Sequence, residues 1–237
     1  MILIIDLDNT IYPASRGVLR AIDRRMTAYM IERLGFSPER ADETRVGYWA
    51  SHGTTMKGLK VSYDIDESDF LSYVHNLPVG EMLEPDRELR QALIDTPYPK
   101  FVFTNADGDH AKHVLGSLGI SDVFEAVFDV TSLEFIGKPY PESYVEVERR
   151  IRNLLDGRLG DIDTRDFVFF DDYPAYLKSA KAHGWTTVHV DEKYEPESPD
   201  SPVRLGGAEA YMDFTIRTIH AFPEVVKLIE RDGGKPK

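Results

Sequence analysis

The chain opens MILIIDLDNT, Met1–Thr10, and its fold turns on how this stretch is read. Ile2, Leu3, Ile4 and Ile5 run on without alternation, and Leu7 extends the run. A strand half exposed to water would alternate apolar and polar side chains. An unbroken run fits a strand covered on both faces, as in a parallel sheet. Asp8-Asn9-Thr10 then supplies turn-forming side chains that end it. The apolar run is short and acids follow it, so neither a signal peptide nor a membrane span is expected there.

Working outward, Lys100–Phe103, Phe167–Phe170 and Trp185–Val190 are runs of the same kind, and Glu125–Val130 is a weaker one. Helical patterns separate them. Ala111–Leu118 places Val114, Leu115 and Leu118 on one face and stops at Gly119. Glu142–Leu155 repeats Val145, Val147, Ile151 and Leu155 at helical spacing. Ala175–Ala182 is short and ends near Gly184, and Phe222–Ile229 is the last helix before a tail at Gly233–Lys237. Alternating strands and helices predict an α/β fold, a Rossmann-like and mostly parallel sheet with helices on both faces.

Residues 14–85 break this rhythm. Val18, Ile22, Met26, Tyr29 and Met30 form one helical stripe closed by Gly35. Ser37-Pro38 reads as an N-cap followed by proline at the first helical position. Asp66 with Asp69 opens another helix through Phe70, Leu71 and Val74. The expectation is a helical cap domain at 14–85, inserted into a core of 1–13 and 86–237. Glu195–Pro202, acidic and with three prolines, reads as an exposed loop.

At 237 residues and 42% hydrophobic, the chain can bury a large core. A net charge of −13 argues against a nucleic-acid polymer as partner, which needs clustered Lys and Arg. The absence of cysteine excludes disulfides, thiol catalysis and thiolate metal sites. No other long apolar run occurs, so no membrane partner is expected and a cytoplasmic location follows by default.

Active sites of open parallel sheets form at the carboxyl ends of the strands. There the sequence places Asp6 and Asp8, then Thr104-Asn105, then Gly137-Lys138-Pro139 before a helix, then Asp171-Asp172. Each alone has a plain structural reading: aspartates cap turns, Thr104 is a solvated hydroxyl, Lys138 a surface lysine. Four carboxylates at one sheet edge, however, would repel each other without a cation, and oxygen-only ligands suit Mg²⁺.

Taken in order, DLDNT, TNA, GKP and FFDD resemble the four motifs of the haloacid dehalogenase-like hydrolases, and the resemblance covers nearly the whole chain. DLDNTIYP, HGTTMKGL (52–59), FLSYVHNLP (70–78) and FTNADGDHAKHVLGSLGI (103–120) are similar to the branch that includes pyrimidine 5′-nucleotidases. The resemblance implies a Mg²⁺-dependent phosphatase acting on a small phosphorylated metabolite, a nucleoside 5′-monophosphate foremost. Asp6 would be the nucleophile and Asp8 the general acid and base. Thr104 and the Asn105 backbone would hold phosphate oxygens, and Lys138 would neutralise charge. Asp6, the Asp8 carbonyl and Asp172 would hold the metal, with Asp171 close by. The helical insertion would cover the site, with His52, Thr54, Thr55 and Lys57 facing the substrate. His75, His110 and His113 are expected to be surface or packing histidines.

One departure stands out. After the acid pair the family has Ser, two variable residues and Asn-Leu, whereas this chain has Tyr173-Pro174-Ala175-Tyr176-Leu177. Competing readings are a sugar-phosphate phosphatase, a phosphomutase, a haloacid dehalogenase and a non-catalytic binding protein. Asp8 and the acid pair argue against the dehalogenase, because halide displacement needs neither a metal nor a leaving-group acid.

Overall fold

The computed structural model describes residues 1–196 and 202–231. The expected loop at 195–202 lies partly, and the expected tail at 233–237 wholly, outside the described residues. β1 (Ile2–Ile5) is followed by five helices: α1 (Val18–Leu34), α2 (Pro38–His52), α3 (Thr55–Tyr63), α4 (Glu67–Val74) and α5 (Val79–Met82). Next come α6 (Arg87–Asp95), β2 (Lys100–Phe103), α7 (Gly108–Leu118), β3 (Ala126–Phe128), α8 (Pro141–Leu154), β4 (Phe167–Asp171) and α9 (Pro174–His183). β5 (Thr186–Val190), β6 (Val203–Leu205), β7 (Phe214–Ile216) and α10 (Phe222–Arg231) complete the chain.

The strands form one seven-stranded sheet in the order β3-β2-β1-β4-β5-β7-β6. Every pairing is parallel except that of β6 with β7. β1 lies inside the sheet, where Ile4 pairs with Phe101 of β2 and Phe169 of β4. Alternate side chains point to opposite faces of a strand, so each central strand contributes to two cores. Leu3 and Ile5 join Val102, Val168, Phe170 and Val188 under α6, α7 and α10. Ile2 and Ile4 join Phe101, Phe103, Phe167 and Phe169 under α8 and α9. Both faces are covered, which is why the strands read as continuous apolar runs.

The inserted helices begin and end where the local chemistry dictates. The Ser37 side chain accepts from Arg40 N ahead of Pro38, Thr54 from Lys57 N, and Asp66 from Ser68 N and Asp69 N. Gly35 and Gly53 close α1 and α2 in the left-handed region, at φ 72° and 77°, which costs least without a Cβ. Ile22, Tyr29 and Met30 of α1 pack with Leu59, Phe70 and Val74, and this cluster is continuous with one face of the sheet. Tyr29 meets Phe70 edge to face at 5.1 Å. Gly58 sits inside α3, where a Cβ would run into the Tyr48 ring, so it marks close approach of α2 and α3 rather than a break. Among the described residues no helix is long and apolar enough to cross a membrane.

Candidate active site

The sheet's carboxyl edge carries the polar cluster. Asp6 follows β1, and its backbone N–H donates to Phe170 O across the β1–β4 junction at 2.9 Å. The buried Lys138 ammonium donates to Asp6 Oδ1 at 2.6 Å and to Asp171 Oδ2 at 2.7 Å. The rings of Phe103, Phe169 and Tyr176 lie 5.2, 5.3 and 4.9 Å from its Nζ, within cation–π range. The Thr10 hydroxyl donates to Asp6 Oδ2 at 3.0 Å and accepts from Asp172 N at 3.0 Å. Thr10 thereby ties the ends of two strands together.

Carboxylate oxygens of Asp6, Asp171 and Asp172 lie within 4.8 Å of one another. Burial raises the Asp6 pKa even though Lys138 opposes it, and burial holds Asp171 well above the ordinary range. Asp172 is pushed up to about 7 by burial and then by the Asp6 charge. Lys138 moves the other way from what burial alone would give, because Asp171 and Asp6 hold its proton. Three acids around one ammonium are short of positive charge. The donor set is all oxygen, which fits a hard divalent cation.

Asp8 stands apart from this cluster. Its Oδ1 accepts from His110 Nε2 at 2.9 Å and also from the Tyr12 hydroxyl. Burial pushes the Asp8 carboxyl up, but the His110 charge, its hydrogen bond and that of Tyr12 together outweigh burial, and the pKa falls. Burial likewise disfavours charge on His110, and Asp8 outweighs it, so the His110 pKa rises. The His110 ring stacks on His75 at 4.5 Å and 22°, and His75 Nδ1 pairs with Asp107 Oδ2 at 2.7 Å. His110 is thus a buried partner of Asp8, not simply a packing residue.

The loop bearing Lys138 is held by Asn105, whose Nδ2 donates to Lys138 O and whose Oδ1 accepts from Lys138 N, both at 2.8 Å. Gly137 permits this, since a Cβ there would collide with Asn105 Oδ1. Tyr176 occupies the place of the usual amide: its hydroxyl accepts from Asn105 Nδ2 at 3.1 Å and donates to Gly53 O at 3.3 Å. Tyr140 Oη donates to His52 O at 2.8 Å. Tyr173 N donates to Asp171 Oδ1 at 2.7 Å, and the Tyr173 ring packs on Trp49 of α2 at 4.6 Å. The three tyrosines, Tyr140, Tyr173 and Tyr176, therefore join the sheet edge to the inserted helices.

A cavity of about 360 Å³ opens over the cluster. Asp6, Asp8, Thr104, Asn105, Lys138 and Asp172 line one end, while Asp171 is fully buried beneath. Thr54, Thr55 and Lys57 line the side formed by the insertion. Two of their hydroxyls are already engaged: Thr54 Oγ1 caps α3 by accepting from Lys57 N at 3.1 Å, and Thr55 Oγ1 donates to Arg45 O at 3.1 Å. The His52 ring is not part of the lining and pairs instead with Ser51 Oγ at 2.7 Å. Arg45 also lines the cavity with its ion-pair partner Asp23, 2.8 Å away.

Thr10, Tyr12, His110 and the Asp23–Arg45 pair were not expected at the site. A signal existed for two of them. Asp6 with Thr10 and Asp8 with Tyr12 are each four residues apart, and the turn after β1, closed by Ile11 N donating to Leu7 O at 3.1 Å with Asn9 at φ 63°, brings both pairs together.

The family model of the haloacid dehalogenase-like hydrolases matches residues 1–184. Phosphate metabolism protein 8 of Saccharomyces cerevisiae is 29% identical over 210 residues, which cover 81% of this chain and 62% of that protein. This chain thus spans less than two thirds of that relative's length. An L-2-haloacid dehalogenase from Xanthobacter autotrophicus superposes at TM-score 0.57 with 18% identity, covering 96% of this chain and 99% of that one. A HAD phosphatase from Thermococcus onnurineus superposes at TM-score 0.56 with 20% identity, covering 100% and 99%. These two structures share the fold. The motifs at the sheet edge and the match across 1–184 together make the chain a member of the haloacid dehalogenase-like hydrolases.

Proposed function

We propose that the protein is a Mg²⁺-dependent phosphatase of small phosphate monoesters, with a nucleoside 5′-monophosphate as the first substrate to try. The observation that carries this reading is the contrast between two carboxylates two residues apart. Asp6 sits in a cluster of three acids around the one Lys138 ammonium, short of positive charge, while Asp8 is held outside it by His110 and Tyr12. A dehalogenase has no use for that division, and it supports a nucleophile beside a separate acid and base.

In this reading an Asp6 oxygen attacks phosphorus, the bond to the leaving oxygen breaks, and that oxygen takes a proton from Asp8. The approaching phosphate dianion raises the Asp8 pKa by like-charge repulsion and so favours the protonated form. Water then attacks the aspartyl-phosphate while Asp8 takes its proton, freeing Asp6 and phosphate. The Thr104 hydroxyl accepts from Ala106 N at 3.0 Å and keeps its own hydrogen for a phosphate oxygen. The Asn105 side chain is spent on Lys138, which leaves its backbone N–H for phosphate. Lys138 offsets charge between nucleophile and substrate. Asp6, Asp172 and the Asp8 carbonyl would hold Mg²⁺, with Asp171 fixing Lys138 from below. When bound, the ion supplies positive charge against the nucleophile and the phosphate.

Residues 14–85 act as a cap in this reading, excluding water and facing the leaving group with Thr54, Thr55 and Lys57. The test is a phosphate-release screen with Mg²⁺ over nucleotides, sugar phosphates and aryl phosphates, with Asp6→Asn as control. Release at the level of the Asp6→Asn control for every ester would refute the phosphatase. Chloride release from a 2-haloacid would favour the dehalogenase instead.

A further inference from the structure

We infer that His110 is a positioning residue for Asp8: with Tyr12 it grips one carboxylate oxygen and leaves the other aimed at the leaving group. The inference rests on the phosphatase reading of the site. Both donors, His110 Nε2 and the Tyr12 hydroxyl, go to the same atom, Asp8 Oδ1. Among the described residues Oδ2 has no hydrogen-bond partner, which makes it the oxygen available for proton exchange. Neither His110 nor Tyr12 lines the cavity, whereas Asp8 does. They stand behind Asp8 and act through it.

The His110 ring is itself fixed. Its side chain is fully buried on α7, and the Asp107 side chain caps that helix by accepting from His110 N at 2.8 Å. Asp107 uses its other oxygen to hold His75, whose ring covers that of His110. His75 closes the C-terminal end of α4, within the insertion. A clamp of this kind removes rotation about the Asp8 side chain. Proton transfer demands a heavy-atom separation and direction that a freely rotating carboxylate reaches only part of the time. His110 Nδ1 has no hydrogen-bond partner among the described residues, so the ring's one polar contact through its side chain is with Asp8.

The test is the dependence of kcat/KM on leaving group, along aryl phosphates from p-nitrophenyl to p-methoxyphenyl phosphate, with Mg²⁺ present. Nitrophenolate departs without a proton, whereas the methoxy compound needs one. His110→Leu keeps bulk and removes the donor. It is expected to lose roughly tenfold or more at the methoxyphenyl end, a modest part of a general acid's usual contribution, and under about threefold at the nitrophenyl end. His110→Gln restores a donor and should recover most of that loss. A kcat/KM for p-nitrophenyl phosphate kept within about threefold, with an unchanged melting curve, shows that each variant is folded. A parallel loss across the series, or Gln no better than Leu, overturns the positioning role and leaves the phosphatase reading intact. A wild-type protein silent on every ester overturns both.

Discussion

The ammonium of Lys138 lies 2.6 Å from Asp6 Oδ1, with its side chain shielded from solvent. The same nitrogen serves Asp171, so one buried cation compensates two buried acids. Removing one partner of such a group leaves uncompensated charge, which commonly costs about 3–5 kcal/mol. Lys138→Met should therefore melt well below wild type at pH 8 and lose at least about a hundredfold in kcat. Urea melts at that pH check it, and a midpoint equal to wild type would show that the acids are compensated otherwise.

The acid cluster also sets a pH dependence in the metal-free protein. Asp172 moves from an ordinary 3.8 to about 7 in the folded chain. The folded state thus binds that proton more tightly. The resulting stability is full below pH 3.8 and is lost as pH rises through about 7. Asp172→Asn carries no titrating group there. In EDTA its melting temperature should gain on wild type steadily from pH 4 to 8. A gap constant over that range would show that Asp172 does not titrate as stated.

Mg²⁺ should act on the same residue from the other side. A ligand that binds only the folded state raises the melting temperature with its concentration. Wild type should show this rise above pH 7, and Asp172→Ala should need far more Mg²⁺ for the same rise. Asp171→Ala should instead lose turnover through Lys138, which it supports. Identical Mg²⁺ titrations for the Asp172 variant and wild type would remove Asp172 from the ligand set.

Selectivity among substrates should depend on Arg45. It is charged, partly buried and exposed to the cavity beside Asp23, in a wall otherwise rich in apolar groups such as Met26 and Trp49. One hydrogen bond made to the preferred leaving group is worth roughly 1 kcal/mol or more, or about a five- to tenfold preference. Arg45→Met should flatten the ranking of esters while sparing p-nitrophenyl phosphate. Thr55→Val should do the same more weakly, since the Thr55 hydroxyl holds the Arg45 carbonyl. Equal losses for all esters would assign both residues to folding.

Gly137→Ala tests the tie between Asn105 and the lysine loop. The new methyl would strike Asn105 Oδ1 and push apart the paired amide contacts. Overpacking of this kind costs about 1–3 kcal/mol, and displacement of Lys138 should lower kcat more than it changes KM. Wild-type kinetics would show that the loop adjusts freely.

The buried strands were legible because a sheet covered on both faces writes its position as unbroken apolar runs, as in Ile2–Ile5 and Phe167–Phe170. α1, α7 and α9 were legible from an apolar face and a terminal glycine, and α8 from its apolar face alone. α6 was not, since only Leu89 and Leu93 of it are buried, nor was α3, where Gly58 looks like an interruption. β6 and β7 are three residues each, too short for any period to emerge. At the site, residues at strand ends could be found from order alone. His110 could not, because its meaning depends on a partner 102 positions away.

The contact of Trp49 with Tyr173 gives the protein a built-in optical gauge. The chain has two tryptophans, and Trp185 is fully buried against Phe167 at 5.7 Å. Trp49 is 41% exposed and touches the sheet edge only through the insertion's present placement. Lifting the inserted helices would strip the tyrosine from one indole face and leave Trp185 untouched. The change in emission would thus come from Trp49 alone, and unlabelled protein suffices to time the movement in a stopped-flow mixer.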